Sequence, residues 1–267
     1  MPPLPPIFRP GLARESVQLA IALRNPWAAV RGLYRRELAP RTVVFRSGAR
    51  LGSTERDSLQ FLIQEIILER HYTPRWFYRR GENDVILDIG ANIGVFAIHV
   101  CSLGRENRVH CFEPDPQSFA TLQANIAASK LGHRVRVYNF AVWSEPGSGS
   151  LLLSDQEKSI VQQFRPQTTA TTAAVPCVSL AQAITLACRP DERVALLKID
   201  AEGAEAEILS GCEPVVWKRV QRVALEYHSA ELRDQCIAIL KSVGFSTYNA
   251  VRGPVGICLA TQTGSDH

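Results

Sequence analysis

Four acids and a histidine in this chain, Asp88, Glu113, Asp200, Glu226 and His228, lie in or just after apolar runs. α/β folds deliver reactive groups in this way, at the carboxyl ends of buried strands. Val85-Ile-Leu-Asp-Ile89 is aliphatic at four of its five positions and reads as a buried strand. It runs into Gly90-Ala91-Asn92-Ile93-Gly94, and Val95–Cys101 continues as a helix-compatible run. A strand, a glycine turn and a helix bring backbone N–H groups and a helix N-terminus up to a ligand. Nineteen residues after Gly94, a second apolar run ends in Glu113 followed by Pro114. A carboxylate at that point suits the paired hydroxyls of a ribose, which need an acceptor. The turn is G-x-x-x-G and lacks the middle glycine that lets a backbone approach a pyrophosphate. Asp88 at the turn mouth would repel a diphosphate and could face an ammonium group. Electrostatics therefore favour S-adenosylmethionine, with its ammonium and sulfonium, over NAD.

The second cluster begins with the apolar run Val194–Ile199, followed by Asp200-Ala201-Glu202-Gly203-Ala204-Glu205. Asp200 stands at a strand end or caps the next helix. Glu202 and Glu205 suit the first turn of that helix, where the dipole favours anions. Val223–Leu225 leads to Glu226-Tyr227-His228, and strand alternation points Glu226 and His228 the same way. Neighbouring strands are roughly 5 Å apart, so these groups and Asp88 could share one pocket.

The elements that must position them follow an alternating pattern. Strands are expected at 85–89, 108–113, 135–140, 194–199, 221–227, 244–249 and 255–261, and helices at 94–103, 116–130, 179–188, 204–210 and 229–242. That alternation means an α/β fold with a mostly parallel sheet covered on both faces. Ser148–Leu153 and Thr172–Val178 suggest a short strand pair, with 154–172 between them as a loop or lid. Ahead of this main domain (85–267), residues 55–84 read as a helical lead-in, with a helix over Ser58–Tyr72 whose stripe is Leu59, Leu62, Ile63, Ile66 and Ile67. Residues 1–54 read as a basic, partly helical extension: helices at Leu12–Leu23 and Pro26–Leu38, then a hairpin of Arg41–Phe45 with Ala49–Leu51.

The 267 residues are 46% hydrophobic and 21% charged, which supplies one full core and argues against wholesale disorder. Residues 1–50 hold nine arginines and two glutamates, a net of +7, leaving −3 on the rest of a chain whose total is +4. Packing over the main domain, guiding of an anionic or lipid-linked substrate or of a membrane surface, and a homodimer contact are the expected uses of that basic segment. No base-reading module is present, so nucleic acid is not an expected partner. Seven cysteines without C-x-x-C spacing, Cys101 and Cys111 among them in apolar contexts, point to reduced thiols and a cytoplasmic setting. No apolar run is long enough to span a bilayer.

The stretches VILDIGANIGVFAIH, CFEPDPQSFATLQANI, NFAVWSEPGSGSLLL, LLKIDAEGAEAEILSG and ALEYH together resemble the FkbM family of S-adenosylmethionine-dependent methyltransferases, over roughly residues 55–262. The most specific piece is Lys198–Glu205; the family usually carries valine where this chain has Ala201. The resemblance implies a class I methyltransferase fold, seven strands in the order 3-2-1-4-5-7-6 with the last antiparallel. It implies methyl transfer to a hydroxyl of a sugar, polyketide or other specialised metabolite. On this reading Asp88, Gly90, Ala91, Asn92 and Gly94 surround the methionine moiety, Glu113 and Pro114 meet the ribose, and Asn139 and Ala141 border the adenine. A hydroxyl is a poor nucleophile at neutral pH and needs help. His228, with an unperturbed pKa of about 6.5, is the natural base. Asp200 could serve if burial raises its pKa. Alternatively Asp200, Glu226 and His228 could hold Mg²⁺. The other classes considered are an NAD(P)-dependent oxidoreductase, weakened by the absent middle glycine and the lack of a clear Tyr-x-x-x-Lys, and a non-catalytic Rossmann-like binding module.

Overall fold

The computed structural model describes residues 22–24, 41–53, 59–78, 83–152, 164–165, 172–251 and 253–264. The expected helix at Pro26–Leu38, most of that at Leu12–Leu23 and most of the 154–172 loop lie outside the described residues.

Seven strands form the central sheet: β3 (Val85–Ile89), β4 (Arg108–Phe112), β5 (Val135–Tyr138), β10 (Val194–Ile199), β11 (Arg222–Tyr227), β12 (Phe245–Val251) and β13 (Gly256–Gln262). Their spatial order is β12-β13-β11-β10-β3-β4-β5. Counted along the chain within this sheet alone, that is 3-2-1-4-5-7-6 read from the other edge. β13 runs antiparallel to both its neighbours, and the other pairings are parallel. The strands are apolar on both sides because both faces are covered: every residue of β3 and of β10 is buried. The order reverses at β3, between β4 and β10, which is where a doubly wound sheet opens a ligand crevice.

The helices begin where local chemistry starts them. α3 (Pro116–Ala128) opens on Asp115, whose side chain accepts from Ser118 N, with proline in the first turn. α4 (Leu180–Ala187) starts with a reciprocal Ser179–Gln182 capping box. α7 (Ala230–Ser242) starts with Ser229 accepting from Leu232 N. The other helices around the sheet are α2 (Val95–Leu103), α5 (Glu205–Ser210) and the short α6 (Pro214–Trp217). α6 was not anticipated, since four residues show no helical period.

The hairpin appears as expected, with β1 (Thr42–Val44) antiparallel to β2 (Arg50–Gly52). It docks on α3: Gly52 N donates to Asn125 Oδ1 at 2.7 Å, and Asn125 Nδ2 donates back to Gly52 O at 2.9 Å. Leu51 is fully buried in the same core as Ile86 and Leu196. The expected strand pair is present as β7 (Gly147–Leu152) and β9 (Thr172–Ser179). It belongs to a second sheet, β6-β9-β7-β8, with β6 (Ala141–Trp143) and β8 (Phe164–Arg165). The strand expected over 135–140 stops at Tyr138, because Asn139 turns its amide to Glu113 O (2.8 Å) and Pro114 O (3.1 Å).

The helix expected over 58–72 is shorter and of another kind. α1 (Leu59–Leu62) widens into a π-helical stretch, Ile63–Leu68, closed by Glu69 N on Gln64 O and followed by His71 N on Glu65 O. Leu59, Ile63 and Ile66 are buried, and Leu62 and Ile67 pack against them less completely. The wide turn and the left-handed Arg70 (φ 58°) direct Tyr72 inward to 2% exposure. Tyr72 shares its core with Ile86, Leu196 and Ala224, one side of the central sheet. Strand alternation places Asp88, Lys198 and Glu226 on that same side, two residues further along each strand.

Candidate active site

Gly90 and Asn92 shape the turn after β3. Both are left-handed, at φ 71° and 47°. Gly90 N and Ala91 N donate to Phe112 O, tying the turn to β4. Asn92 N donates to Glu113 Oε2 at 2.7 Å, and Asp115 N donates to Glu113 Oε1 at 2.9 Å. Glu113 is 3% exposed. Burial pushes its carboxyl up to about 7 against the pull of those two N–H groups. The Asn92 Oδ1 atom is buried with no hydrogen-bond partner among the described residues. Gly94, left-handed and lying over Leu122 of α3, opens α2. Pro114 holds Asn139, whereas Ala141 packs into the small core of the second sheet with Leu151, Val175 and Cys177.

Asp88 does not stand open at the turn mouth. It is fully buried on β3, and its Oδ1 lies 3.3 Å from Lys198 Nζ on the adjacent β10. Lys198 also lies 3.2 Å from Asp200 Oδ2 and donates to Gly90 O at 2.6 Å. Burial pushes Asp88 up to about 6, and Lys198 limits the rise. The sequence reading missed Lys198 as a participant, although its spacing from Asp200 signals a shared side of the strand.

Tyr72 was also missed, and no local pattern could have revealed it. Its hydroxyl contacts Asp200 Oδ2 at 3.2 Å and makes a short hydrogen bond with Glu226 Oε2. Two carboxylates at the ends of β10 and β11 thus converge on one hydroxyl. Burial first, and the nearby Asp200 second, raise Glu226 to about 8, with the Tyr72 hydroxyl pulling the other way.

The structure revises the role expected of His228. Its Nε2 lies 3.1 Å from Glu202 Oε2, and its Nδ1 lies 3.4 Å from Glu205 Oε1. Burial would lower its pKa, but the hydrogen bonds and charges of these two acids overcome that and push it up to about 11. Those two acids favour the protonated ring over a free base. Glu202 and Glu205 do more than face a helix dipole: Glu205 accepts from Ala201 N (3.0 Å) and Gly203 N (3.2 Å), and both acids clamp the histidine. Asp200 caps no helix, since α5 begins at Glu205 behind Ala204.

One ligand atom each from Asp200, Glu226 and His228 lies within 4.8 Å of the others. As arranged, the three do not fit Mg²⁺: His228 is engaged by Glu202 and Glu205, and Lys198 already supplies a cation to Asp200.

The His228 clamp has a consequence for stability. Its folded pKa lies above the unfolded value, so its stabilisation is complete below about pH 6.5 and is lost as pH rises toward about 11. Thermal melts from pH 6.5 to 10.5 are expected to show a decline that His228→Gln flattens. Parallel curves for the two proteins would show that the clamp is absent in solution.

The sheet order, the glycine turn at its switch point and the acids at the strand ends are those of a class I methyltransferase. Comparison with known proteins narrows this further. The Methyltransferase FkbM domain model matches residues 88–247, and the chain belongs to that family. It is 30% identical over 236 residues to the 31-O-demethyl-FK506 methyltransferase FkbM of Streptomyces tacrolimicus, covering 77% of this chain and 88% of that one. It is 27% identical over 214 residues to the methyltransferase sdnD of Sordaria araneosa, covering 70% and 82%. The crystal structure of a methyltransferase FkbM from Methylobacillus flagellatus matches at 16% identity and a TM-score of 0.48, covering 93% of this chain and 58% of that one. The protein is thus a methyltransferase, and the oxidoreductase expectation gives way. Tyr72 lies ahead of the matched region.

Proposed function

We propose that this chain is an S-adenosylmethionine-dependent O-methyltransferase acting on a hydroxyl of a small molecule such as a sugar or polyketide-type metabolite. One observation carries the reading: Asp200 and Glu226 converge on a single hydroxyl, that of Tyr72, beside the glycine turn. A site built this way grips an alcohol. The name of the relative from Streptomyces tacrolimicus, which places a methyl group on an oxygen, agrees with it.

The residues fit the cofactor. Glu113 is a buried acceptor at the end of β4, as a ribose requires, and Asn92 Oδ1 is buried in the turn without a partner. When bound, S-adenosylmethionine supplies an activated methyl group. The protein's task is then positioning, a contribution of about 7–11 kcal/mol in favourable cases. Asp200 and Glu226 would orient the alcohol and take its proton. Glu226, pushed up to about 8, would act in its ionised form, a fraction that grows as pH rises toward that value. Lys198 would hold Asp200 in place, and no step requires a metal.

The cofactor half is tested by calorimetry with S-adenosylhomocysteine; absence of heat would sink it. The acceptor half is tested with methyl-labelled S-adenosylmethionine and a panel of hydroxylated compounds that includes 31-O-demethyl-FK506, the O-methyl product being identified by mass spectrometry. Asp200→Asn is expected to lower turnover by about 10²–10⁴, the range for losing a positioned base, with a much smaller change in cofactor affinity. The opposite pattern would move Asp200 into the cofactor site. Turnover is expected to survive EDTA; loss restored by added Mg²⁺ would revive the metal reading. The seven cysteines are all buried free thiols, which supports a reducing, cytoplasmic setting. No helix of the described residues is long and apolar enough to cross a membrane.

A further inference from the structure

One buried charge has more contacts than holding Asp200 requires. Lys198 is 3% exposed, and its ammonium is enclosed by Asp88 of β3, Asp200 beyond β10, the Gly90 carbonyl and the face of the Tyr72 ring at 5.4 Å. A lysine this deep is rare unless paired, and this one is paired on two sides. Gly90 belongs to the turn that would hold the cofactor, and Asp200 to the carboxylates that would hold the acceptor. The ammonium is therefore a unit positive charge fixed at their junction, in a low-dielectric interior where its field is poorly screened.

We propose that Lys198 is a cofactor-discriminating residue, a fixed cation that disfavours the sulfonium of S-adenosylmethionine relative to the neutral thioether of S-adenosylhomocysteine. The inference rests on the S-adenosylmethionine reading above. During transfer the methyl–sulfur bond breaks as the bond from methyl carbon to acceptor oxygen forms. The sulfur keeps the electron pair and becomes neutral, and the acceptor's proton passes to a carboxylate. A cation fixed nearby raises the energy of the charged sulfur and leaves the neutral one unaffected. The penalty is released as the charge leaves, so it acts on the reactant more than on the transition state. The acids alone would hold a cationic cofactor strongly. Lys198 offsets Asp88 and Asp200 and moderates that hold.

The test needs no acceptor. Wild type, Lys198→Met, Asp88→Asn and the double variant are titrated calorimetrically with both compounds. Lys198→Met is expected to shift the affinity ratio toward S-adenosylmethionine by roughly fivefold or more, the order expected when one partly shielded charge is removed. The same shift is expected between Asp88→Asn and the double variant, where the fully buried Asp88 carboxylate is no longer stranded and only the part-exposed Asp200 loses its partner; this pair carries the test if Lys198→Met does not fold. A ratio that stays constant in both comparisons, with the two affinities falling together, would make Lys198 purely structural and overturn the proposal. A wild type that binds neither compound would fail separately, by removing the cofactor reading and this inference with it.

Discussion

Gly90→Ala is expected to yield little folded protein. At φ 71° an alanine is strained by about 1–2 kcal/mol on its own. The larger cost is contact: a Cβ at Gly90 would lie 1.7 Å from the Asp200 carbonyl oxygen and 2.8 Å from its carbon. Those are backbone atoms of the adjoining strand end, held there by Asp200 N donating to Ile89 O at 3.1 Å. No rotamer change relieves such a clash, so β3 and β10 must separate where Asp88, Lys198 and Asp200 meet. A loss of at least about 3 kcal/mol follows, a large part of the 5–15 kcal/mol that holds a typical domain together. Differential scanning fluorimetry should show a melting point lower by roughly 6–12 °C, or no transition. Gly132→Ala is the control, since a Cβ there meets nothing within 4 Å. Equal melting points for the two variants would mean that Gly90 and the Asp200 backbone do not approach as closely as described.

Glu113→Ala is expected to remove cofactor binding, with S-adenosylhomocysteine affinity falling by about a hundredfold or more. A carboxylate that accepts two hydroxyl hydrogen bonds in a buried site contributes about 1.5–3 kcal/mol through each. The same side chain holds Asn92 N and Asp115 N, which would lose their acceptor. The turn should loosen, and the melting point should drop as well. Glu113→Gln separates the two effects, because its amide oxygen keeps one acceptor while the charge is lost. Intermediate affinity with a near-native melting point is the expected result for Gln. Wild-type affinity in the alanine variant would remove Glu113 from the ribose site.

The gap between sequence and structure follows from the range of the interactions involved. β3, β10 and the helices opened by Asp115, Ser179 and Ser229 were legible because apolar runs and caps are local signals. The acids at the strand ends were legible for the same reason. The pairing of Asp88 with Lys198 was not, because it depends on strand register, and the protonation of His228 depends on two acids from another segment. The π-helical widening at Ile63–Leu68 left the apolar stripe intact, so periodicity alone read it as an ordinary helix.

The order of residue types along this chain was enough to define a parallel α/β sheet, the glycine turn and which carboxylates gather at its edge, since each of those is set by near neighbours. Tertiary structure alone decided which of them carry charge and what they grip. Tyr72 reaches Glu226 across 154 positions of sequence, and burial there, a property of the packed whole, raises the pKa of that carboxyl.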